Sequence, residues 1–273
     1  MSAPTDPFEA IARFYDLDFE DFHDDAAFYQ RLVEIHGARV LELGAGTGRI
    51  AVPLAEGGAK VTAVDISPGM LALARERARD LDGGSVKWLE DDIRRLRLRG
   101  RFDLVIAPLG TLQHMETVDD FVLALETMAA HLAPGGIAVV DVESPVPEDF
   151  DPSPQPLIQH WTKPWGDGRV TKTVSVDALP SEGTKAVTWH FDVADADGAL
   201  MRTTTEFFLR TFTAPEVDLA ARIAGLRVAA RFADYEFTPY HDGAERLVMI
   251  LQRDDDEVGY IYGDQAVDGD NEA

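Results

Sequence analysis

At 273 residues with 45% hydrophobic content, the chain can bury one large α/β core with an elaboration, or two small domains. With 49 acidic against 25 basic residues and a formal charge of −24, it is ill suited to grip phosphate backbones or anionic lipid, which reward clustered Lys and Arg. The absence of cysteine removes disulfides, thiolate nucleophiles and Cys-ligated zinc together.

The segment up to Gly37 reads as two helical pieces, one around Phe8 to Tyr15 and one from the acidic patch to His36. Asp24 or Asp25 suits the cap of the second, and Gly37 its left-handed C-terminal residue. From Arg39 short apolar strands alternate with helices. Val40 to Leu43, Lys60 to Asp65, Val86 to Glu90, Phe102 to Ala107 and Ile137 to Val142 are the strands. Between the first two, a glycine turn leads into a helix ending at Gly57-Gly58; Ser67 caps the next helix, with Pro68 in its first turn. Thr117 to His131 is an amphipathic helix closed by Pro134-Gly135-Gly136. This alternation predicts a parallel sheet covered on both faces. Pro145, Pro147, Pro152, Pro154 and Pro156 then break the rhythm. Four alternating Thr/Val-rich segments follow, near Leu157 to Lys163, Arg169 to Asp177, Ala186 to Ala194 and Leu200 to Phe212. The turns between them predict an antiparallel insertion standing off the main sheet. Thr213-Ala214-Pro215-Glu216 opens a helix with a capping box, and strands near Leu226 to Tyr235 and Leu247 to Gln252 close the chain. There is no internal repeat.

The chemistry is concentrated in VLELGAGTGR, residues 40–49. Gly44, Ala45, Gly46, Thr47 and Gly48 form a strand-to-helix turn that lets a ligand approach the backbone and aims helix-start N–H groups at it. Its spacing is not the dinucleotide GxGxxG: the third glycine falls one place early and Arg49 stands where a dehydrogenase has glycine. Asp65 then ends the second strand, placed to accept hydrogen bonds from both ribose hydroxyls, with Ile66 beside it. Asp91, Asp92 and Ile93 end the third, where a carboxylate beside a backbone N–H suits an adenine edge. Successive strand ends thus offer three polar stations along the crevice where open α/β sheets bind ligands.

With VLELGAGTGR, AVDISPGML, LEDDIRRL, RFDLVIAP and LAPGGIAVVDV in that order, the chain resembles the class I S-adenosylmethionine-dependent methyltransferases over about Val40 to Val142. The resemblance implies a Rossmann-like class I methyltransferase sheet, α/β with helices on both faces and an antiparallel β insertion after the fifth strand. It implies that the Gly44 to Gly48 turn holds the methionine part of S-adenosyl-L-methionine, Asp65 the ribose, and Asp92 with Ile93 the adenine. Met70 then packs on the adenine, Glu42 orients the amino group, and Pro108 and Asp91 border the cofactor. Tyr15-Asp16 is similar to the lid "YD" of small-molecule N-methyltransferases of the glycine/sarcosine and nucleotide-linked aminosugar types. The run Glu143 to Glu148 departs from the more aromatic one of aminosugar enzymes, and this segment is expected to line the acceptor pocket. The domains implied are a helical lid (1–37), a cofactor-binding core (38–144), the acceptor and dimer insertion (145–212), closing elements (213–253) and an acidic flexible tail (254–273).

Methyl transfer from a sulfonium is an in-line displacement in which the protein chiefly aligns the acceptor and excludes water. A neutral amine needs no base, whereas an alcohol or phenol usually does. His114, after the fourth strand, is the candidate base or acceptor-binding residue, since an imidazole of ordinary pKa, about 6.5, suits proton acceptance near neutrality. His160-Trp161, Trp165, Trp189-His190 and Tyr240-His241 read as core or dimer contacts. Asp18 to Asp25 with His23 lacks a fixed metal spacing and reads as a solvated helix start, so no metal is expected.

The function expected is methyl transfer to nitrogen or oxygen of a small polar metabolite, with no nucleic-acid or membrane partner. A cofactor-binding sensor or scaffold without catalysis is the alternative, and a nicotinamide dehydrogenase is disfavoured by the glycine spacing. MSAPTDPFEA lacks a basic n-region and an apolar h-region, so a cytoplasmic protein is expected. The exposed edge of the insertion suggests a homodimer.

Overall fold

A computed structural model describes residues 6–256. Its main sheet takes β1 (Arg39–Leu43), β2 (Lys60–Asp65), β3 (Ser85–Glu90), β4 (Phe102–Ala107), β5 (Leu132–Glu143), β10 (Leu226–Phe232) and β11 (Arg246–Arg253). Their order is β10-β11-β5-β4-β1-β2-β3. β1 to β5 are parallel, with Val40 beside Val61 and Leu104, and β11 runs antiparallel to β5. The chain therefore runs outward from β1 to β3 and returns to β4 on β1's other side. That reversal opens a crevice at the C-terminal ends of β1 and β4.

Strand periodicity sorts the core into two layers. Val105, Ala107, Ala138 and Val140 pack on α5 (Val118–His131) and α6 (Ala214–Ile223) through Phe121, Leu125, Met128 and Val217. Leu104, Ile106, Ile137 and Val139 face the opposite layer, α2 (Asp24–His36) and α3 (Ala51–Glu56), through Phe28, Leu32 and Leu54. No helix among the described residues is long and apolar enough to cross a membrane.

The insertion is a separate antiparallel sheet of β6 (Ile158–Trp165), β7 (Gly168–Leu179), β8 (Thr184–Ala194) and β9 (Leu200–Arg210), in that order. One face is covered by the N-terminal segment: Ile11 and Phe14 are buried against Val170 and Phe191, and Phe14 stacks on Phe191 at 4.9 Å. Trp161, Trp165 and Trp189 join this contact, so their packing partner is the same chain's N-terminus.

Several local expectations need correction. The first helix is broken into a 3-10 turn (Glu9–Ile11), α1 (Ala12–Tyr15) and another 3-10 turn (Asp16–Asp18). The N-cap of α2 is His23, without a side-chain cap bond; Asp24 and Asp25 lie in the first turn, and Asp25 is drawn away to Arg49. Gly37 has φ 124° and ψ 162°, outside the left-handed helical well, and a Cβ there would lie 2.7 Å from Asp103 Oδ2. Pro134-Gly135-Gly136 does not precede β5 but lies within it, at a register shift that keeps Leu132 paired with Phe102. Of the acidic tail expected over 254–273, positions 257–273 lie outside the described residues, as do residues 1–5 of the lid.

Candidate functional site

A cavity of about 550 Å³ opens at the crevice between β1 and β4. Its wall contains the expected cofactor residues and the candidate histidine, Tyr15, Glu42, Gly44, Ala45, Gly46, Thr47, Asp65, Ile66, Met70, Asp91, Asp92, Ile93, Pro108 and His114, but not Gly48.

The glycine turn admits close approach because its backbone needs glycine. Gly44 has φ +72°, and a Cβ there would fall 2.3 Å from Thr111 Cγ2; at Gly48, φ +78°, it would meet Trp88 at 2.7 Å. The amides of Gly44 and Ala45 donate to Val64 O, that of Gly46 to Asp65 Oδ2 at 2.7 Å, and that of Gly48 to Ala45 O. α3 starts only at Ala51. The turn therefore offers room and little of the expected row of free helix-start amides.

Glu42 is 2% exposed, and its Oε2 has no hydrogen-bond partner among the described residues. Burial pushes its pKa well above the usual carboxylate range, opposed by Arg49 and by a bond from the Ala51 backbone. Asp65 accepts from the Gly46 and Ser67 amides, at 2.7 and 2.8 Å. Burial raises its pKa, and those amides pull it back down. Met70 is the third residue of α4 (Pro68–Arg77), its N–H donating to the capping Ser67 Oγ, and its Cε rests 3.5 Å from where a Gly46 Cβ would be.

Asp91 Oδ1 accepts from the Asp92 amide at 2.8 Å. The Asp92 carboxylate is forked by Arg94, with Nη2 at 2.7 Å; partial burial raises its pKa, but the guanidinium outweighs this and holds the group below the usual range. Arg94 also reaches Asp120 at 3.0 Å.

After β4 the chain turns sharply: Leu109 has φ +50°, where a branched side chain is strained. Asp141 on β5, fully buried, holds this turn. Its Oδ2 accepts from the Leu109 amide at 2.8 Å and from the Tyr235 hydroxyl at 2.7 Å, and Arg246 donates to Oδ1 at 2.6 Å. The 3-10 turn Thr111–His114 then carries His114 into the cavity. There its ring meets Phe8 edge-on at 5.2 Å and Phe207 at 5.5 Å. Burial lowers the His114 pKa to about 4, so the ring is neutral at pH 7 and a far weaker proton acceptor than its ordinary value promised. Tyr15 sits between Phe8 and Phe19, and burial raises its hydroxyl pKa, keeping it protonated.

Phe8, Phe207 and Phe208 also line the cavity, and sequence reasoning missed them. They come from segments some two hundred positions apart, and alternation along β9 was the only trace. The acidic run was also misread in part. Asp18 pairs with Lys172 and accepts from Trp161 Nε1 at 2.6 Å; Glu20 pairs with Lys163, and Asp25 with Arg49. These three carboxylates fasten the N-terminal segment, while Asp21, His23 and Asp24 are exposed around the helix start as expected.

Glu143, Ser144 and Val146 do not reach this cavity. They line a second one of about 460 Å³, with Asp149, Lys185, Tyr235 and Arg246. Asp141 links the two walls, accepting from Leu109 of the first and from Tyr235 and Arg246 of the second, and Gln113 accepts from the Glu143 amide and donates to Arg210 O.

Comparison with known proteins agrees with this geometry. A family model described as a methyltransferase domain matches residues 40–136. The chain is 31% identical over 220 residues to the cypemycin N-terminal methyltransferase of Streptomyces sp, covering 80% of this chain and 84% of that protein. It is also 31% identical over 225 residues to the dTDP-3-amino-3,6-dideoxy-alpha-D-glucopyranose N,N-dimethyltransferase of Streptomyces fradiae, again with 80% and 84% covered. Among solved structures it is similar to SAM-bound CalS10, an amino pentose methyltransferase from Micromonospora echinaspora, with TM-score 0.69, 25% identity, and 93% and 99% of the two chains covered. A Rossmann-like sheet with its crevice at the glycine turn, and relatives that match across most of their length, establish that this chain belongs to the class I methyltransferase family.

Proposed function

We propose that this methyltransferase binds S-adenosyl-L-methionine in the larger cavity and transfers the methyl group to a nitrogen of a small molecule. The observation that carries the reading is Glu42, a buried carboxylate on the cavity wall beside Gly44, with an unpartnered Oε2. An unpaired buried carboxylate is costly unless a cation completes it, and the ammonium of the cofactor is such a cation. The relatives whose names specify N-terminal or N,N-dimethyl transfer support nitrogen as the acceptor.

When bound, the cofactor supplies an electrophilic methyl carbon on a sulfonium leaving group. The Gly44 to Thr47 turn admits the methionine part, Asp65 and Ile66 take the ribose, and Asp91, Asp92 and Ile93 the adenine edge. Met70 and Pro108 flank the cofactor. Asp92 shares its carboxylate with Arg94 in this role. Tyr15, Phe8 and Phe207 exclude water from the reacting end, and His114, neutral, accepts a hydrogen bond from the acceptor and orients it. Orientation of this kind supplies up to about 7–11 kcal/mol of barrier lowering. A neutral amine needs no base, which agrees with the low basicity of His114.

In the same reading, residues 1–37 act as a lid on the core of 38–144, residues 145–212 form the acceptor-side insertion and 213–253 close the sheet. The protein works in the cytoplasm, and copies pair through the edge of the insertion, where Leu157 and Ile158 are exposed. Sedimentation giving a monomeric mass would remove the dimer. The test of function is calorimetric titration with S-adenosyl-L-methionine, then mass spectrometry of a metabolite-extract incubation. Binding with a one-methyl mass gain on an amine is expected; absence of binding would overturn the reading.

A further inference from the structure

We infer that the acceptor is an amine without phosphate groups, and not a nucleotide-linked sugar; this rests on the nitrogen-methylating reading above. The larger cavity is bordered by the carboxylates of Glu42, Asp65, Asp91, Asp92, Glu116 and Asp120, and by the guanidiniums of Arg49 and Arg94. Both cations are engaged. Arg49 donates to Asp25 at 2.8 Å, and Arg94 reaches Asp92 at 2.7 Å and Asp120 at 3.0 Å. Four of the carboxylates stand at cofactor stations. Of the other two, Asp120 is a partner of Arg94, and Glu116 adds a further carboxylate.

The second cavity has the same character. Its carboxylates are Glu143, Asp149, Asp234 and Glu245. Of its two cations, Lys185 lies 3.3 Å from Glu143 and 3.2 Å from Asp149, and Arg246 is held by buried Asp141 at 2.6 Å. No Lys or Arg among the described residues lining either cavity stands without a carboxylate partner.

A diphosphate is recognised by cations whose donors are free to fork its oxygens. Here it would have to break existing ion pairs and lie against carboxylates, after approaching a chain of net charge −24. An amine is favoured by the same features. As a cation in water it is drawn toward the acidic mouth, and the faces of Phe8, Tyr15 and Phe207 attract an alkylammonium, both as substrate and as methylated product. The amine loses one proton to water. The nitrogen lone pair then forms the C–N bond while the C–S electron pair passes to sulfur, leaving an N-methylammonium and S-adenosylhomocysteine. The dTDP carrier in one relative's name thus marks a departure of this chain from that relative.

The experiment uses the full chain. Titration with S-adenosylhomocysteine comes first, and no binding there would overturn the methyltransferase reading and this one with it. The loaded protein is then titrated with thymidine 5′-diphosphate. A Kd weaker than about 1 mM is expected, and a salt-sensitive Kd tighter than about 100 μM would overturn the proposal. In parallel, a metabolite extract is incubated with methyl-labelled S-adenosyl-L-methionine and split by ion exchange. Label on a cationic product supports the proposal; label on an anionic product that phosphodiesterase converts to a cation overturns it.

Discussion

The Thr47 hydroxyl, in the glycine turn, donates to Asp16 Oδ1 at 2.6 Å, joining residues 31 positions apart. Asp16 Oδ2 also accepts from Arg77 at 2.6 Å, on α4 of the core. Two residues on, Asp18 turns the other way, to Lys172 and Trp161 of the antiparallel sheet. A single strap therefore ties the cofactor-side turn to the insertion, with Tyr15 directly before the first anchor.

Thr47→Val keeps the shape of a nearly fully buried side chain and removes its donor to Asp16. A hydrogen bond to a charged group is worth about 1.5–3 kcal/mol, and leaving Asp16 half-served loosens the strap. Calorimetry is expected to show S-adenosylhomocysteine affinity falling roughly tenfold. Unchanged affinity would show that the strap and the turn act independently.

Glu42→Gln tests the unpartnered carboxylate. Because the folded pKa of Glu42 is raised, the native state holds a proton that the unfolded chain releases above its ordinary pKa. Glu42 therefore lowers the stability of the free protein progressively as pH rises from the unfolded value toward the folded one. The variant is expected to melt at a higher temperature than the parent at neutral pH, and to bind S-adenosylhomocysteine on the order of tenfold more weakly. A loss of both would assign Glu42 to folding instead.

His114 carries a pH signature of the opposite kind. Its folded pKa of about 4 lies below the unfolded value of about 6.5, so the native state binds fewer protons between the two. Stability is full above the unfolded value and declines as pH falls toward the folded one. His114→Gln is expected to flatten this acid limb in melting temperature measured against pH. In the parent, kcat/KM for an amine should show no histidine inflection between about pH 6 and 8; an inflection removed by the substitution would restore the proton-accepting role.

Asp141→Asn keeps the shape of the group that holds Leu109, Tyr235 and Arg246, and takes away its charge. Breaking a buried pair from one side costs about 3–5 kcal/mol, and at 2–4 °C per kcal/mol the melting temperature should drop by roughly 6–20 °C. Differential scanning calorimetry would measure it. A fall of one or two degrees would mean that the Leu109 turn holds itself.

What could be read along the chain was what is decided within a few residues. Lys60–Asp65 and Phe102–Ala107 are strands at the expected bounds, because apolar runs of that length between turn residues suit buried parallel strands. Ser67 accepts from the Met70 amide, Thr117 from that of Asp120, and Thr213 forms its capping box with Glu216. Each is a hydrogen bond across three positions. The stations at Gly44, Asp65 and Asp92 were legible for a related reason: a parallel sheet brings successive strand ends to one edge.

The tertiary structure alone decided the rest. Phe8, His114 and Phe207 share one chamber because β9 and the N-terminal strap close over the crevice, and periodicity carries no information about which distant aromatic meets which. The Glu143 to Val146 run fell to the second cavity, since its direction after β5 depends on the β11 pairing and on Gln113. His114 lost its basicity through desolvation by side chains that arrive from elsewhere. Spacing places a group on its element; its pKa and its partners depend on what closes around it.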